Sequence, residues 1–353
     1  MNHEEQFDDI RVVSINAGTD EGADITIEYN AKRISVSIFA SSPEDNTHDG
    51  TSVEDELIRL LSQAVDAADE KYEDLMNSAL DRILDLAGAT FSDVAPRICA
   101  SQQANTVLHT HLYPDTFDSH LKTIDGKVSI SQISPGEALC VPVAAPNPHF
   151  HADFEPDDHL PCLSSDEIYI LESFLSGNGT VSKVQVGSMD MLCKARRVGL
   201  EDIGLEQELK MLQMIRNNSL RTDMFIRVPS LLAYVKHAES GAIIGLLREW
   251  IQSSPLERTL RDVDVSAVSV ELRRHWATQI RKTVGQLHTI GVVWGDGKPS
   301  NVIIDTNDDA WLIDFAGGWT YWWVDEELAD TVEGNKQAVE KIIKYLGLYN
   351  LSL

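Results

Sequence analysis

The sequence predicts a mixed α+β protein built in two parts, and three observations carry this. Segments near the N-terminus alternate apolar and polar residues, as half-buried strands do. A long stretch beginning at Val53 repeats its apolar residues at helical spacing. A proline-dotted segment then separates this region from a second one with strands and helices of its own.

In the first part, Ile10–Ile15 and Ile25–Tyr29 have strand character, and Ile34–Phe39 follows a strict period of two. Residues 41–50 are polar and read as a loop. Val53, Leu57, Leu60, Leu61, Val65, Ala68, Tyr72, Leu75, Leu80, Ile83 and Leu84 then define a long amphipathic helix or a helix pair. Thr51 or Ser52 is placed to cap its start, and Gly88 to end it. Ser129–Ile133 suggests a further strand. Pro142, Pro146, Pro148, Pro156 and Pro161 mark an irregular linker, so the boundary is expected near residue 160.

The 353 residues carry a net charge of −27, unevenly spread. Residues 1–160 hold 9 Lys and Arg against 30 Asp and Glu, a net of −21, and residues 161–353 hold 20 against 26, a net of −6. Nucleic acid and anionic membranes both need a basic face, so neither is expected as a partner. No apolar run approaches the roughly 18 residues that span a bilayer. The acidic start, Met1-Asn-His-Glu-Glu5, does not read as a targeting peptide, so a cytoplasmic or nuclear address is expected, with the cytoplasm preferred. Cys99, Cys140, Cys162 and Cys193 form no C-x-x-C pair and read as ordinary thiols. His109 and His111, with His149 and His151, would suit zinc only if both pairs lay on strands and met in space. Ordinary polar histidines are the expectation.

The chemistry concentrates in Trp294–Gly318. Glu271–Ile290 has helical spacing through Leu272, Trp276, Ile280, Val284 and Leu287, and delivers the chain into this segment. Asn301–Ile304 and Ala310–Ile313 are apolar runs on either side of the turn Thr306-Asn-Asp-Asp309, which predicts a β-hairpin. Folding about that turn brings Asn301 and Asp314 to one open end, with Asp296 on the loop that enters it. Two carboxylates and an amide gathered in this way suit Mg²⁺, which takes hard oxygen ligands and completes its shell with water and phosphate.

Asp296-Gly-Lys-Pro-Ser-Asn301 and Ile313-Asp-Phe-Ala316 resemble the catalytic and metal loops of the protein-kinase superfamily. The resemblance implies a two-lobed fold that binds ATP and Mg²⁺. In it Asp296 orients the acceptor, Lys298 contacts the γ-phosphate, and Asn301 and Asp314 hold the metal. Upstream, Gly177-Asn-Gly179-Thr-Val-Ser182-Lys-Val184 is similar to the glycine-rich loop, with Ser182 in place of the third glycine. Lys194 resembles the lysine that pairs with the α- and β-phosphates. Glu208 matches the helix glutamate that pairs with that lysine, with Glu206 as the competing choice. Leu246–Trp250, with Leu247 and Glu249, resembles the hinge whose backbone reads adenine. By this resemblance residues 161–250 form the small lobe and 251–353 a minimal large lobe, preceded by an acidic α+β domain at 1–160. Trp294-Gly-Asp-Gly-Lys-Pro-Ser-Asn301, Ile313-Asp-Phe-Ala-Gly-Gly318 and Thr331-Val-Glu-Gly334 are also similar to a group of kinase-like proteins of filamentous fungi, over about residues 165–353.

Three departures qualify the reading. Trp294-Gly295 replaces the His-Arg pair, which removes the partner of a phosphorylated activation loop. A glycine before the catalytic Asp also occurs in aminoglycoside phosphotransferases. Ala316 replaces a glycine, and Ala tolerates positive φ poorly. Only 35 residues follow Gly318, as in the small Bud and RIO type kinases. The expected activity is therefore an ATP- and Mg²⁺-dependent phosphotransfer to a small molecule or unusual acceptor. The alternatives are a nucleotide-binding pseudokinase, with the acidic N-terminal domain facing a protein partner, and nucleotidyl transfer or ligation on the same fold.

Overall fold

In the computed structural model, the described residues are 10–18, 22–30, 32–40, 52–65, 67, 69–96, 106–124, 127–139, 154–176, 179–197, 202–222, 224–253 and 258–348. The chain is mixed α+β, as expected, and divides into two compact units, Met1–Ala145 and Pro146–Leu353. The division falls before the expected residue 160. Phe154 and Leu160 explain why, because both are buried in the core of the second unit. Phe154 packs edge-on to Tyr234, whose hydroxyl accepts the Asp157 N–H at 2.8 Å.

The first unit is a five-stranded sheet ordered β1-β2-β3-β5-β6, accompanied by helices. Strands β1 (Ile10–Gly18), β2 (Gly22–Tyr29) and β3 (Lys32–Phe39) form an antiparallel meander. A two-residue strand β4 (Thr106–Val107) leads into the short helix α3 (Leu108–Leu112). Strand β5 (Thr116–Ile124) then runs parallel to β3, and β6 (Lys127–Gln132) runs antiparallel to β5. The expected amphipathic stretch is a helix pair, α1 (Val53–Val65) and α2 (Asp69–Val94). Ser52 caps α1, its Oγ accepting the Asp55 N–H at 3.0 Å. Gly88 does not end α2. Ala87 and Phe91 on either side of it are buried, and that packing outweighs the weak helix propensity of glycine. His109 and His111 lie on α3 rather than a strand, where neighbours two apart diverge around the axis. His149 and His151 lie outside the described residues, and among the described residues no three His, Cys, Asp or Glu gather to hold a metal.

In the second unit the sheet order is β8-β9-β10-β12-β11-β7. Its strands are β7 (Cys162–Ser164), β8 (Tyr169–Ser176), β9 (Gly179–Val186), β10 (Met189–Arg196), β11 (Leu231–Lys236) and β12 (Ile243–Glu249). All neighbours are antiparallel except β7, which runs parallel to β11. Helix α4 (Ile203–Thr222) joins β10 to β11. It starts at Asp202, whose Oδ1 accepts the Leu205 N–H at 2.9 Å. It buries Leu205, Glu208, Leu209, Leu212 and Ile215, one stripe at helical spacing. Helix α5 (Val270–Thr289) is capped by Ser269 and covers the hairpin of β13 (Val302–Ile304) and β14 (Ala310–Leu312), with α6 (Val332–Tyr345) against α5. No helix among the described residues is long and apolar enough to cross a membrane. Cys193 is a buried free thiol and Cys162 an exposed one.

Strands β10 and β12 approach closely at Gly245. A Cβ there would run into the Lys194 carbonyl oxygen and stand 2.7 Å from the Ala195 Cα. Gly245→Ala is therefore expected to lower the unfolding free energy by about 1–3 kcal/mol, the usual cost of overpacking, and to shift the urea midpoint downward. An unchanged midpoint would contradict this strand spacing.

Candidate functional site

The site is assembled from three elements of the second unit: strand β10, helix α4, and the two loops that bracket the β13–β14 hairpin. The hairpin register pairs Val302 with Leu312 and Ile304 with Ala310. The Ile313 N–H then donates to the Asn301 carbonyl at 3.0 Å, which holds the chain ends together at the open end of the hairpin. This is the placement the apolar-turn-apolar pattern predicted.

Trp294 fixes the loop before the hairpin. Its ring is fully buried, and its indole N–H donates to the Ile313 carbonyl at 2.9 Å. Gly295 follows with φ +83°, and a Cβ there would meet the Gly317 Cα at 2.9 Å. The loops carrying Asp296 and Asp314 are therefore in backbone contact, a proximity that only glycine permits. Asn301 donates its side-chain amide to the Asp296 carbonyl at 2.8 Å. A carbonyl only accepts, so the amide nitrogen faces it and the Asn301 oxygen is the atom left to offer a cation. Asp296 Oδ2 accepts from Lys298 and, at 3.0 Å, from Thr320, while Lys298 also donates to Thr320 at 2.8 Å. Asp296 Oδ1 is buried and has no hydrogen-bond partner among the described residues. A buried carboxylate oxygen with no donor is costly, so it marks a position where a hydroxyl or a cation would fit.

Asp314 adopts φ +64°, an uncommon conformation for a residue with a side chain. It turns its Oδ1 to Lys194 at 2.8 Å. Lys194 also meets Glu208 Oε2 at 2.5 Å. Burial alone would lower the proton affinity of Lys194, but Glu208 and then Asp314 outweigh it and hold it above its ordinary value. Glu206, the competing choice, instead pairs with Lys210 one turn along α4 at 2.6 Å. Ala316 is absent from the positive-φ residues; the left-handed positions are Asp314, Gly317 and Gly318. The expected conflict at Ala316 therefore does not arise. A Cβ added at Gly204 of α4 would stand 3.2 Å from the Ala316 Cβ.

The strand register sets three of the expected residues apart from Lys194. Paired residues share a sheet face. Lys194 pairs with Val181 and Leu246, whereas Cys193 pairs with Ser182 and Leu247, and Met191 with Val184. Ser182, Val184 and Leu247 therefore lie on the face away from Lys194. Ser182 is fully buried there and shares a 2.6 Å hydrogen bond with Thr180. Leu247 is moreover paired on both sides, with Cys193 and Ala233, so its backbone is engaged within the sheet. Gly179 is the first residue of β9, and a Cβ there would meet the Ala195 carbonyl at 2.8 Å. Gly177 lies outside the described residues. Glu249 ends β12, and the chain leaves the sheet at Trp250, which stacks on Phe174.

Sequence reasoning missed Asn335. It is fully buried on α6, its Oδ1 accepts the Gly295 N–H at 3.1 Å, and its Nδ2 faces His288 Nε2 at 3.0 Å. The Gly295 N–H can only donate, so the amide orientation is set and His288 Nε2 must accept. The Thr331 cap and the following Val-Glu-Gly are visible as a motif, but the hold of the next residue, Asn335, on the loop of Gly295 is not. A cavity of about 480 Å³ beyond α4, lined by Leu212, Ile215, Met224 and Trp311 among others, includes none of Lys194, Asp296, Asn301 and Asp314.

No family model matches this chain, and no curated protein matches it significantly.

His288 links the site to pH. Burial, aided by Lys336 and opposed by Glu333, lowers its proton affinity below the ordinary value. A histidine that binds its proton less well when folded contributes stability above about pH 6.5, and that stability is lost as the pH falls through the folded value. Melting temperature should therefore fall less steeply between pH 7 and pH 5 in His288→Gln, which keeps an acceptor for Asn335 but does not titrate. Parallel curves for variant and wild type would contradict this role.

Proposed function

We propose that the chain is an ATP- and Mg²⁺-dependent phosphotransferase whose second unit has a protein-kinase-like, two-lobed arrangement. The observation that carries this reading is the contact of Lys194 with both Glu208 and Asp314. Residues 14 and 120 positions away meet one ammonium. A lysine held by a helix carboxylate and poised beside a metal-loop aspartate suits the binding of polyphosphate.

The donor set supports magnesium rather than a metal held by protein alone. Mg²⁺ takes one or two carboxylates and completes its shell with water and phosphate oxygens, and Asp314 with the Asn301 oxygen is a set of that size. Bound Mg-ATP would supply the transferable phosphoryl group and neutralise its charge. Lys194 would bind the phosphate chain, with Glu208 holding it in place. Lys298, already against Asp296, would neutralise charge near the acceptor. The unpartnered Oδ1 of Asp296 would accept the hydrogen bond of the acceptor hydroxyl and orient it.

Trp319, Tyr321 and Trp322 flank Thr320 in sequence and are 39%, 66% and 76% exposed. Aromatic side chains open to solvent beside the loop of Asp296 favour a small-molecule or unusual acceptor that offers an apolar face. The acidic first unit is proposed to meet a protein partner.

The test is the nucleotide product. Purified protein with Mg-ATP should form ADP slowly, and Asp296→Asn should lower that rate by about 10²-fold or more. AMP in place of ADP would move the reading to nucleotidyl transfer or ligation. Turnover unchanged in Asp296→Asn would overturn the role of Asp296.

A further inference from the structure

The Lys194 face of the sheet carries a second cation that none of the steps above uses. Arg248 pairs with Leu192, two residues before Lys194, so both side chains stand on the same face of adjacent strands. Arg248 is only 3% exposed. Its Nε is buried without a hydrogen-bond partner among the described residues, and its Nη1 reaches only the Glu249 carbonyl, at 3.5 Å. That distance lies beyond an effective hydrogen bond. Glu208 shows the complementary deficit. Its Oε2 holds Lys194, but its Oε1 is buried without a partner.

A guanidinium does not give up its proton in a protein, so Arg248 is a buried charge. Burial disfavours that charge, while Glu208, Asp314 and Glu249 attract it, in that order. The cluster thus holds two cations, Lys194 and Arg248, and two carboxylates, Glu208 and Asp314. Lys194 alone is in direct contact with both carboxylates. With Oε2 on Lys194, Glu208 has one buried oxygen without a partner, and among the described residues Arg248 is the cation of this cluster that has no carboxylate in contact.

We propose that Arg248 is a positioning residue of the nucleotide site, whose buried charge on the Lys194 face balances Glu208 and so keeps Lys194 aimed at the phosphates. The proposal rests on the Mg-ATP reading above. A purely structural arginine would act differently. Replacing it by an apolar residue of similar length would then change stability, with any loss of binding simply following the loss of folded protein. Removing one member of a buried ion pair destabilises when it leaves the other charge uncompensated, and removes a desolvation cost when it does not. Glu208 keeps Lys194.

The experiment titrates Mg-ATP into wild type, Arg248→Met, Glu208→Gln and the double variant by calorimetry, with melting temperatures measured without ligand. Arg248→Met is expected to bind about tenfold more weakly, the equivalent of one charge-assisted hydrogen bond, with its melting temperature unchanged or raised. In the Glu208→Gln background the same change should have little further effect, because Arg248 acts through the charge of Glu208. Arg248→Lys, which keeps the charge, should bind within about threefold of wild type; it carries the test if Arg248→Met does not fold. Wild-type affinity in Arg248→Met, losses that multiply in the double variant, or an Arg248→Lys loss of about tenfold or more would each overturn the proposal. Absence of Mg-ATP binding in the wild type would instead overturn the reading of the site, and the role of Arg248 with it.

Discussion

The site depends on one ammonium group held between two carboxylates. Lys194 belongs to the sheet, Glu208 to helix α4 and Asp314 to the loop after the β13–β14 hairpin. Glu208 is 1% exposed, and its Oε2 meets the Lys194 ammonium. The lysine therefore ties three elements that are distant in sequence to one point. The same tie leaves the cluster responsive, because Asp314 is exchangeable. Its side chain is 38% exposed, against 1% for Glu208, so a cation arriving from solvent can reach the first and not the second.

Around this point the backbone is held by contacts that leave little room for adjustment. Trp294 bonds to the Ile313 carbonyl, Gly295 lies against Gly317, and Asn335 holds the Gly295 N–H from α6. Preorganisation of this kind places charged groups before a ligand arrives, which is where electrostatic stabilisation is most effective. The left-handed backbone at Asp314 is consistent with a residue held in place by its surroundings rather than by its own preference. Ala316 is accommodated because the glycines after it, and not Ala316 itself, take the left-handed positions.

Local patterns in the sequence were a good guide where one short segment makes the structure. The hairpin, the gathering of Asp296, Asn301 and Asp314 at its open end, and the helix pair of the first unit all follow from patterns a few residues long. The face that the glycine-rich segment presents is set by strand register and not by residue spacing. A strand has a period of two, so Ser182, Val184 and Leu247 lie on the face away from Lys194, and Val181, Leu246 and Arg248 share its face. Gly88 failed as a helix end because the packing of Phe91 and Ala87 overrides local propensity. Strand β5 was missed because its residues Asp118, Ser119 and His120 hide the alternation of Phe117 and Leu121. Asn335 and Arg248 were illegible in principle, since their partners lie 40 residues or more away in sequence or on another strand. The boundary near residue 145 depended likewise on where Phe154 and Leu160 find their core.

The central claim is that Asp314 and Asn301 offer a cation a place beside Lys194 only in company with phosphate. Calorimetric titration of ATP into the protein with and without Mg²⁺, repeated for Asp314→Ala, addresses it most directly. Binding is expected to require Mg²⁺ in the wild type and to be lost in Asp314→Ala. ATP binding that is indifferent to Mg²⁺, or that survives intact in Asp314→Ala, would contradict it.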